Sequence, residues 1–164
     1  MDNHIVYLAL GSNLGDRLAN LKQAIASLPP QIEVKAKSRV YETPPWGYAD
    51  QPAFLNQVLK GNTYVEPGPL LKHLKRLEIA LGRVPGFQNG PRLIDIDILF
   101  YDELVRDTPP LILPHPRLHE RGFVLMPLNE IAPTLIHPTI GKTVSEMLVA
   151  CDTRGISVYE KNDR

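Results

Sequence analysis

Residues 90–99 read Gly90-Pro91-Arg92-Leu93-Ile94-Asp95-Ile96-Asp97-Ile98-Leu99, an acidic pair within a run of β-formers. Side chains alternate between the faces of a strand at roughly 3.3 Å per residue, so Asp95 and Asp97 project from one face about 7 Å apart. The isoleucines cover the other face. Two like charges in front of apolar residues favour a hard divalent cation such as Mg²⁺ as their compensation. The alternative is an edge strand whose acids only block aggregation.

The elements around this strand predict the fold class. Apolar runs and alternating patterns predict four strands, at 5–10, 32–41, 54–65 and 93–101. Apolar residues at helical spacing predict two helices, which Pro29-Pro30 and Gly82 end. The order β-α-β-β-α-β predicts an α+β fold with a ferredoxin-like core, in which helices pack on one face of a mostly antiparallel sheet.

The last third of the chain is less regular. Four prolines after Asp107 favour extended backbone around His115. A late helix is expected to begin at Thr143, because Thr143-x-x-Glu146 has the pattern of a capping box. Residues from about 155 to 164 are predicted to form a polar C-terminal tail or extension.

Composition limits the function classes. The chain has 164 residues, about one domain's worth, so residues 1–164 are expected to form a single domain. Lys plus Arg equals Asp plus Glu at 18 each, so no overall field attracts nucleic acid or an anionic membrane. The single cysteine, Cys151, fits a reducing compartment and reads as core filler. With neither a signal peptide nor an apolar run of about 20 residues, we expect a cytoplasmic protein. We also expect a monomer.

Three further motifs are candidates for ligand binding. The turn 11–17, Gly-Ser-Asn-Leu-Gly-Asp-Arg, lacks the P-loop ending and the dinucleotide glycine spacing, so a turn and helix N-cap are favoured over a phosphate cradle. Trp46 in a rigid Pro-rich loop suits a flat heteroaromatic ligand, and Phe54 and Asn56 share one face of the next strand. The alternative is that Trp46 and Phe54 are ordinary core.

A basic group follows the acidic strand. His115, Arg117 and Arg121 are either phosphate ligands or surface charge. His115 and His119 have the spacing of a helical metal pair, but Pro114 and Pro116 argue against a continuous helix and hence against zinc.

Together these motifs resemble the 6-hydroxymethyl-7,8-dihydropterin pyrophosphokinase family of folate biosynthesis. The resemblance covers nearly the whole chain, and Gly-Pro-Arg-x-x-Asp-x-Asp is its most specific part. It rests on these segments: Gly11-Ser12-Asn13-Leu14, Tyr41-x-Thr43-Pro44-Pro45, Gln51-Pro52-x-Phe54-Leu55-Asn56, residues 90–99, Pro114-His115 and Arg121-Gly122-Phe123. It implies a ferredoxin-like fold and transfer of the pyrophosphoryl group of ATP to the pterin hydroxymethyl oxygen, with release of AMP.

The resemblance also implies roles for individual residues. Asp95 and Asp97 would hold two Mg²⁺ ions. The catalytic and nucleotide-binding residues would be these two together with Arg83, Arg92, Glu78, Ile98, His115 and Arg121. The pterin would contact Asp95 as well as Thr43, Pro44, Trp46, Phe54, Asn56 and Phe123. ATP would be the co-substrate, and both substrates are small molecules.

The segment between Arg83 and Arg92 differs from the family pattern. A basic, Trp-containing lid usually precedes Gly-Pro-Arg, whereas residues 84–89 here read Val-Pro-Gly-Phe-Gln-Asn. Similarly, Pro110, Ile112 and Pro116 stand where polar nucleotide contacts are common. We therefore expect an active enzyme with altered ATP binding. Two other functions stay open: another metal-dependent nucleotidyl or phosphoryl transferase, and a pterin- or nucleotide-binding module without turnover.

Overall fold

The computed structural model describes residues 2–44, 50–82 and 93–159 of the chain. In these residues a six-stranded antiparallel sheet is formed by β1 (His4–Ser12), β2 (Ile32–Lys37), β3 (Tyr41–Thr43), β4 (Phe54–Thr63), β5 (Asp95–Tyr101) and β8 (Ser157–Val158). The helices are α1 (Arg17–Ala26), α2 (Pro67–Ala80), α3 (Gly122–Ile131) and α4 (Val144–Val149), with a short 3-10 helix at Leu118–Glu120. A separate hairpin joins β6 (Arg106–Thr108) to β7 (Leu111–Leu113).

The strand order places the acidic strand at one edge of the sheet, next to β1. Along the main path the order is β5-β1-β4-β3-β8, and β2 pairs with the other part of β4. In this register Gly11 of β1 lies opposite Asp95 on one side and Asn56 on the other, while Ala9 lies opposite Asp97. The residues of the predicted acidic pair and ring-binding motif therefore share one end of the sheet.

One face of the sheet is covered by α1 and α2, as the sequence predicts. Ile94, Ile96 and Ile98 are each at most 3% exposed and pack in the core on this face, together with Leu8 of β1. Leu74 of α2 is also fully buried in this core. The isoleucines therefore lie behind the acidic pair, and the period-two prediction for β5 is confirmed.

The opposite face is covered as well, by α3 and α4, which lie outside the predicted β-α-β-β-α-β core. A second core contains Tyr7, Leu99 and Phe100 from the strands with Leu125 and Leu128 from α3. Between Tyr7 and the next residue the β1–β5 register shifts. This bulge turns two consecutive residues of β5 toward α3, and the strand gains an apolar patch on the face that also carries the acids.

The segment predicted as one strand, 32–41, is two strands. Ser38 lies between β2 and β3 and is 3% exposed, and its Oγ accepts a hydrogen bond from the Val58 N–H at 3.0 Å. Its main-chain O accepts another from Gln57 Nε2. These side-chain bonds replace ladder bonds and interrupt the strand.

The polar tail predicted for 155–164 is also wrong for its first half. Val158 of β8 pairs with Tyr41 of β3, and Tyr159 packs against the helix-side core. Residues 160–164 lie outside the described residues. Residues 155–159 read Gly-Ile-Ser-Val-Tyr, and the β-branched and aromatic residues among them favour the strand that pairs with β3.

Two helix starts follow local sequence signals. Asp16 caps α1 by accepting from the Ala19 N–H, which confirms the predicted N-cap in the glycine-rich turn. Thr143 and Glu146 form both hydrogen bonds of the predicted capping box at α4. Among the described helices, none is long and apolar enough to cross a membrane.

Candidate active site

A cavity of about 320 Å³ opens where β1, β4 and β5 meet the start of α3. This volume lies within the range of small-molecule sites. Polar, charged and aromatic side chains share its wall. The lining includes Ala9, Gly11, Thr43, Pro44, Phe54, Asn56, Asp95, Asp97, His115, Arg121 and Phe123.

The floor of the cavity is made of the smallest residues. Ala9 and Gly11 of β1 lie between the acidic strand and β4. A Cβ atom placed on Gly11 would lie 3.1 Å from Asn56 Nδ2 and 3.6 Å from Phe54 Cδ1. The missing side chain therefore leaves open the space between the acids and Asn56.

Asp95 and Asp97 line the cavity from β5, two residues apart on one face. Burial, and then repulsion from Asp95, raises the pKa of Asp97 to about 6, while the positive charge of Lys75 opposes this rise. Burial thus disfavours the charged form of Asp97, and a cation bound beside the pair would favour it.

Two side chains of α2 cover the outer edge of β5. The Ile96 N–H donates to Glu78 Oε2 at 2.7 Å, and Lys75 Nζ donates to the Ile96 main-chain O at 3.2 Å. Lys75 Nζ also lies 3.1 Å from Glu78 Oε2 and 3.8 Å from Asp97 Oδ1. At this edge, side chains of α2 take the place of a neighbouring strand.

The amide of Asn56 has a fixed orientation. Thr43 Oγ1 donates to Asn56 Oδ1 at 2.8 Å, and Thr43 is only 3% exposed. This bond directs Nδ2 toward the cavity floor beside Gly11. Asn56 thus presents an N–H donor to a ligand, and its Oδ1 keeps one lone pair for a second bond.

His115 and Arg121 provide donors on the opposite wall. Burial, and then the positive charge of Arg121, lowers the pKa of His115 to about 4, so the imidazole is neutral near pH 7. Its Nδ1 accepts from the Arg117 N–H at 3.2 Å, which leaves the proton on Nε2. The Arg121 guanidinium carbon lies 5.6 Å from the centre of the Phe123 ring. The wall therefore combines a neutral N–H donor, a cation and an aromatic face.

Comparison with protein-family models identifies the family of this chain. Residues 7–133 match the family model described as 7,8-dihydro-6-hydroxymethylpterin-pyrophosphokinase (HPPK). The chain belongs to the HPPK family. The match includes both acids and every cavity residue named above.

Curated relatives agree with this family. A Methylorubrum extorquens protein named 2-amino-4-hydroxy-6-hydroxymethyldihydropteridine pyrophosphokinase is 46% identical over 156 residues, which cover 94% of this chain and 98% of that protein. A Dictyostelium discoideum protein named Folic acid synthesis protein FOL1 is 46% identical over 145 residues, 88% of this chain. This chain spans only 22% of that protein and 20% of a similarly named Pneumocystis carinii protein.

Solved structures show the same fold at low sequence identity. A Plasmodium falciparum HPPK-DHPS wild-type structure with pterin and p-hydroxybenzoate superposes with a TM-score of 0.74 at 16% identity. The match covers 92% of this chain and 42% of that one. The sheet with its packed helices is therefore the HPPK fold.

The structure brings most of the predicted HPPK site residues together. Nine of them line one cavity: Thr43, Pro44, Phe54, Asn56, Asp95, Asp97, His115, Arg121 and Phe123. Phe54 and Asn56 face the same space, as the strand period predicts. The predicted residues Trp46, Arg83 and Arg92, and the predicted lid from Arg83 to Pro91, lie outside the described residues.

Two predicted nucleotide-binding residues are not on the cavity wall. Glu78 is 2% exposed, and its carboxylate holds the edge of β5 through Ile96 instead of facing the cavity. Ile98 is 3% exposed, and its side chain packs in the core under α2. Both predictions followed from the family resemblance. Glu78 is buried against β5, and Ile98 lies on the face of β5 that packs in the helix-side core.

Sequence reasoning missed Lys75, Ala9 and Gly11 as site residues. Lys75 reads as a solvated helix residue, and its approach to Asp97 depends on how α2 packs along β5. The small residues on alternate positions of β1 were a usable signal, since they leave one face of a central strand without side-chain bulk.

Proposed function

We propose that this HPPK chain transfers the pyrophosphoryl group of ATP to the hydroxymethyl oxygen of 6-hydroxymethyl-7,8-dihydropterin, giving AMP and the pterin diphosphate in folate biosynthesis. The observation that carries this proposal is a single cavity that joins an acidic pair, phosphate-binding donors and a polar slot for a flat ring. Family membership and the activity named for the bacterial relative, which matches over almost its whole length, support it.

The ring would lie on the β4 side of the cavity. Phe54 and Phe123 provide two aromatic side chains on its wall, and Asn56 provides an oriented amide. An amide donor with a remaining acceptor matches the edge of a pterin, which alternates ring nitrogens, an amino group and a carbonyl. Pro44, and Trp46 from outside the described residues, are proposed as further contacts to the ring.

The acidic pair has the chemistry of a Mg²⁺ site. Two carboxylates share one face, and burial with mutual repulsion raises the pKa of Asp97. No group of three or more His, Cys, Asp or Glu that could hold a metal occurs in the described ranges. Mg²⁺ commonly uses one or two carboxylates and takes its other ligands from phosphates and water, so Asp95 and Asp97 fit two such ions. Mg²⁺ held by Asp95 and Asp97 would neutralise phosphate charge during the transfer.

The chain's own groups would bind and orient ATP. Arg121 and the Nε2–H of His115 would donate to phosphate oxygens, and both residues line the cavity. Lys75 adds a positive charge beside Asp97. Arg83 and Arg92 are proposed to complete the triphosphate site. The substrate hydroxyl is the nucleophile, so catalysis needs positioning and charge stabilisation and no covalent side-chain intermediate.

We further propose that residues 1–164 are one pyrophosphokinase domain with a ferredoxin-like core. The antiparallel order β5-β1-β4-β2, with α1 and α2 on one face, supports this description. The protein is proposed to act as a monomer on two small molecules.

The direct test is AMP formation by the purified chain with ATP, Mg²⁺ and the hydroxymethyl-dihydropterin. Asp95→Asn and Asp97→Asn should lower turnover by about a hundredfold or more, the range that loss of a charge-stabilising group gives. Asp107→Asn is the matched control, because Asp107 is an exposed acid outside the cavity. Pterin binding without AMP formation would instead support a binding module, and near-normal turnover of Asp97→Asn would contradict the role of the acidic pair.

A further inference from the structure

The C-terminal segment, residues 152–159, crosses behind two walls of the cavity. It lies beyond residue 133, where the family match ends, and none of its residues lines the cavity. It includes β8, which extends the sheet next to β3. The segment therefore touches the site only from behind.

Its first contact is with the wall that carries Thr43 and Pro44. Gly155 has a φ of +82°, and a Cβ atom placed on it would lie 2.8 Å from Pro44 Cγ. Only glycine adopts this backbone readily and leaves room for so close an approach. Val158 pairs with Tyr41 two residues before Thr43, so the wall is held at two points.

The second contact is with the start of α3, which carries Arg121 and Phe123. Gly122 lies between these two cavity residues, and a Cβ atom on it would be 2.6 Å from the main-chain O of Asp152. The same atom would lie 3.0 Å from the side chain of Ile156. The backbone of the segment thus lies against the helix start with no room for a side chain.

A third contact joins the segment to both strands of the ring slot, the part of the cavity lined by Thr43 and Pro44 at the end of β3 and by Phe54 and Asn56 of β4. The Arg17 guanidinium lies 5.6 Å from the centre of the Tyr159 ring, and its Nη1 donates to Glu42 Oε2 at 2.8 Å and to the Ala53 main-chain O at 2.9 Å. Glu42 precedes Thr43, and Ala53 precedes Phe54. Arg17 therefore links the end of β3 to the start of β4, with Tyr159 packed on its guanidinium.

We propose that residues 152–159 are a positioning element of the ring slot, which keeps the β3 wall and the start of α3 at the separation that the dihydropterin needs. This inference rests on the proposed function for the identity of the ligand. A misplacement of about 1 Å can cost as much as a hundredfold in rate, so contacts behind a binding wall matter for how the substrate is held. The contact of Gly155 is with Pro44 on the β3 wall, whereas the acidic pair lies on β5 and Arg121 lies at the start of α3.

The test uses two glycines with the same backbone strain. Gly155→Ala places a methyl group against Pro44, whereas Gly141→Ala, at φ +79°, has no neighbour within 4 Å. We expect Gly155→Ala to raise the KM for the dihydropterin about tenfold with less than about a twofold change in the KM for ATP. Gly141→Ala should alter neither KM, although both variants lose stability through the alanine at positive φ.

A second variant covers the case in which Gly155→Ala does not fold. Tyr159→Leu removes the ring from Arg17 and should also raise the dihydropterin KM more than the ATP KM. The proposal is overturned if Gly155→Ala or Tyr159→Leu binds dihydropterin as the wild type does. It is equally overturned if both KM values change together in both glycine variants.

A separate readout distinguishes failure of this inference from failure of the proposed function. If the wild-type chain forms no AMP, the proposed function fails, and hydrogen exchange of the peptide 41–44 then tests the positioning element without substrate. Faster exchange in Gly155→Ala than in Gly141→Ala supports the inference. Equal exchange in the two variants refutes it.

Discussion

Replacing Thr43 with Val removes one hydroxyl group and keeps the shape of the side chain. In the structure this hydroxyl donates to Asn56 Oδ1 at 2.8 Å, and Thr43 is 3% exposed. The substitution leaves the amide without the bond that sets its orientation. Loss of such a bond costs about 1–2 kcal/mol, and 1.4 kcal/mol corresponds to about a tenfold change in affinity.

We therefore expect Thr43→Val to raise the KM for the dihydropterin by roughly five- to thirtyfold, with little change in the KM for ATP. Steady-state kinetics with each substrate varied in turn measures this, and Thr43→Ser is the control because it retains the hydroxyl. A thermal melt shows how much of the loss falls on stability, since 1 kcal/mol shifts the Tm of a chain this size by about 2–4 °C. An unchanged dihydropterin KM in Thr43→Val would refute the orienting role of this bond.

Three further predictions concern groups around the cavity and one remote helix. Lys75→Met should lower kcat/KM for ATP roughly five- to tenfold, about 1 kcal/mol for a half-exposed charge pair, while Lys72→Met on the exposed side of α2 should not. The pKa of His115 is lowered to about 4 in the folded protein, whereas it is about 6.5 in the unfolded chain. As the pH falls from about 6.5 to 4, the unfolded chain gains a proton on this residue that the folded protein does not, and the free energy of unfolding decreases. Denaturant unfolding across this pH range should show a smaller decrease in the free energy of unfolding for His115→Gln than for the wild type. An equal decrease in the two proteins would contradict the lowered pKa. Thr143→Ala should destabilise α4 by about 1 kcal/mol in the same assay without changing either KM, and a changed KM would contradict the remote position of this cap.

Local patterns were sufficient for the elements that position the acids. Alternation along 93–98 fixed which face of β5 carries Asp95 and Asp97, because neighbouring strand residues always point to opposite faces. The capping box at Thr143 likewise depends on residues three apart. Such features involve only a few consecutive residues, so they can be predicted without knowing the fold.

The missed elements depend on distant parts of the chain. Within α3, Pro127 hides the helical pattern, yet the helix forms because Leu125 and Leu128 are fully buried against the sheet. The strand β8 exists only through pairing with β3, more than a hundred residues earlier. Ile156, Val158 and Tyr159 favour a strand, but a two-residue strand is too short to identify from them alone.

In the candidate site too, local motifs were predictable and contacts between distant elements were not. Motifs identified the side chains that line the cavity, including Asn56 and Arg121. They did not identify the groups that orient those side chains, such as Lys75 at the edge of β5 or Gly155 behind Pro44. Those contacts arise from packing between elements, and residue type alone does not reveal them.

The fate of the β phosphate of ATP tests the central claim most directly. The purified chain is incubated with Mg²⁺, the hydroxymethyl-dihydropterin and ATP that carries an isotopic label on its β phosphate. Pyrophosphoryl transfer predicts that the label appears on the pterin, that AMP is the other product, and that Asp97→Asn loses both. Formation of ADP with the label still on the nucleotide, or no transfer to the pterin at all, would contradict the account.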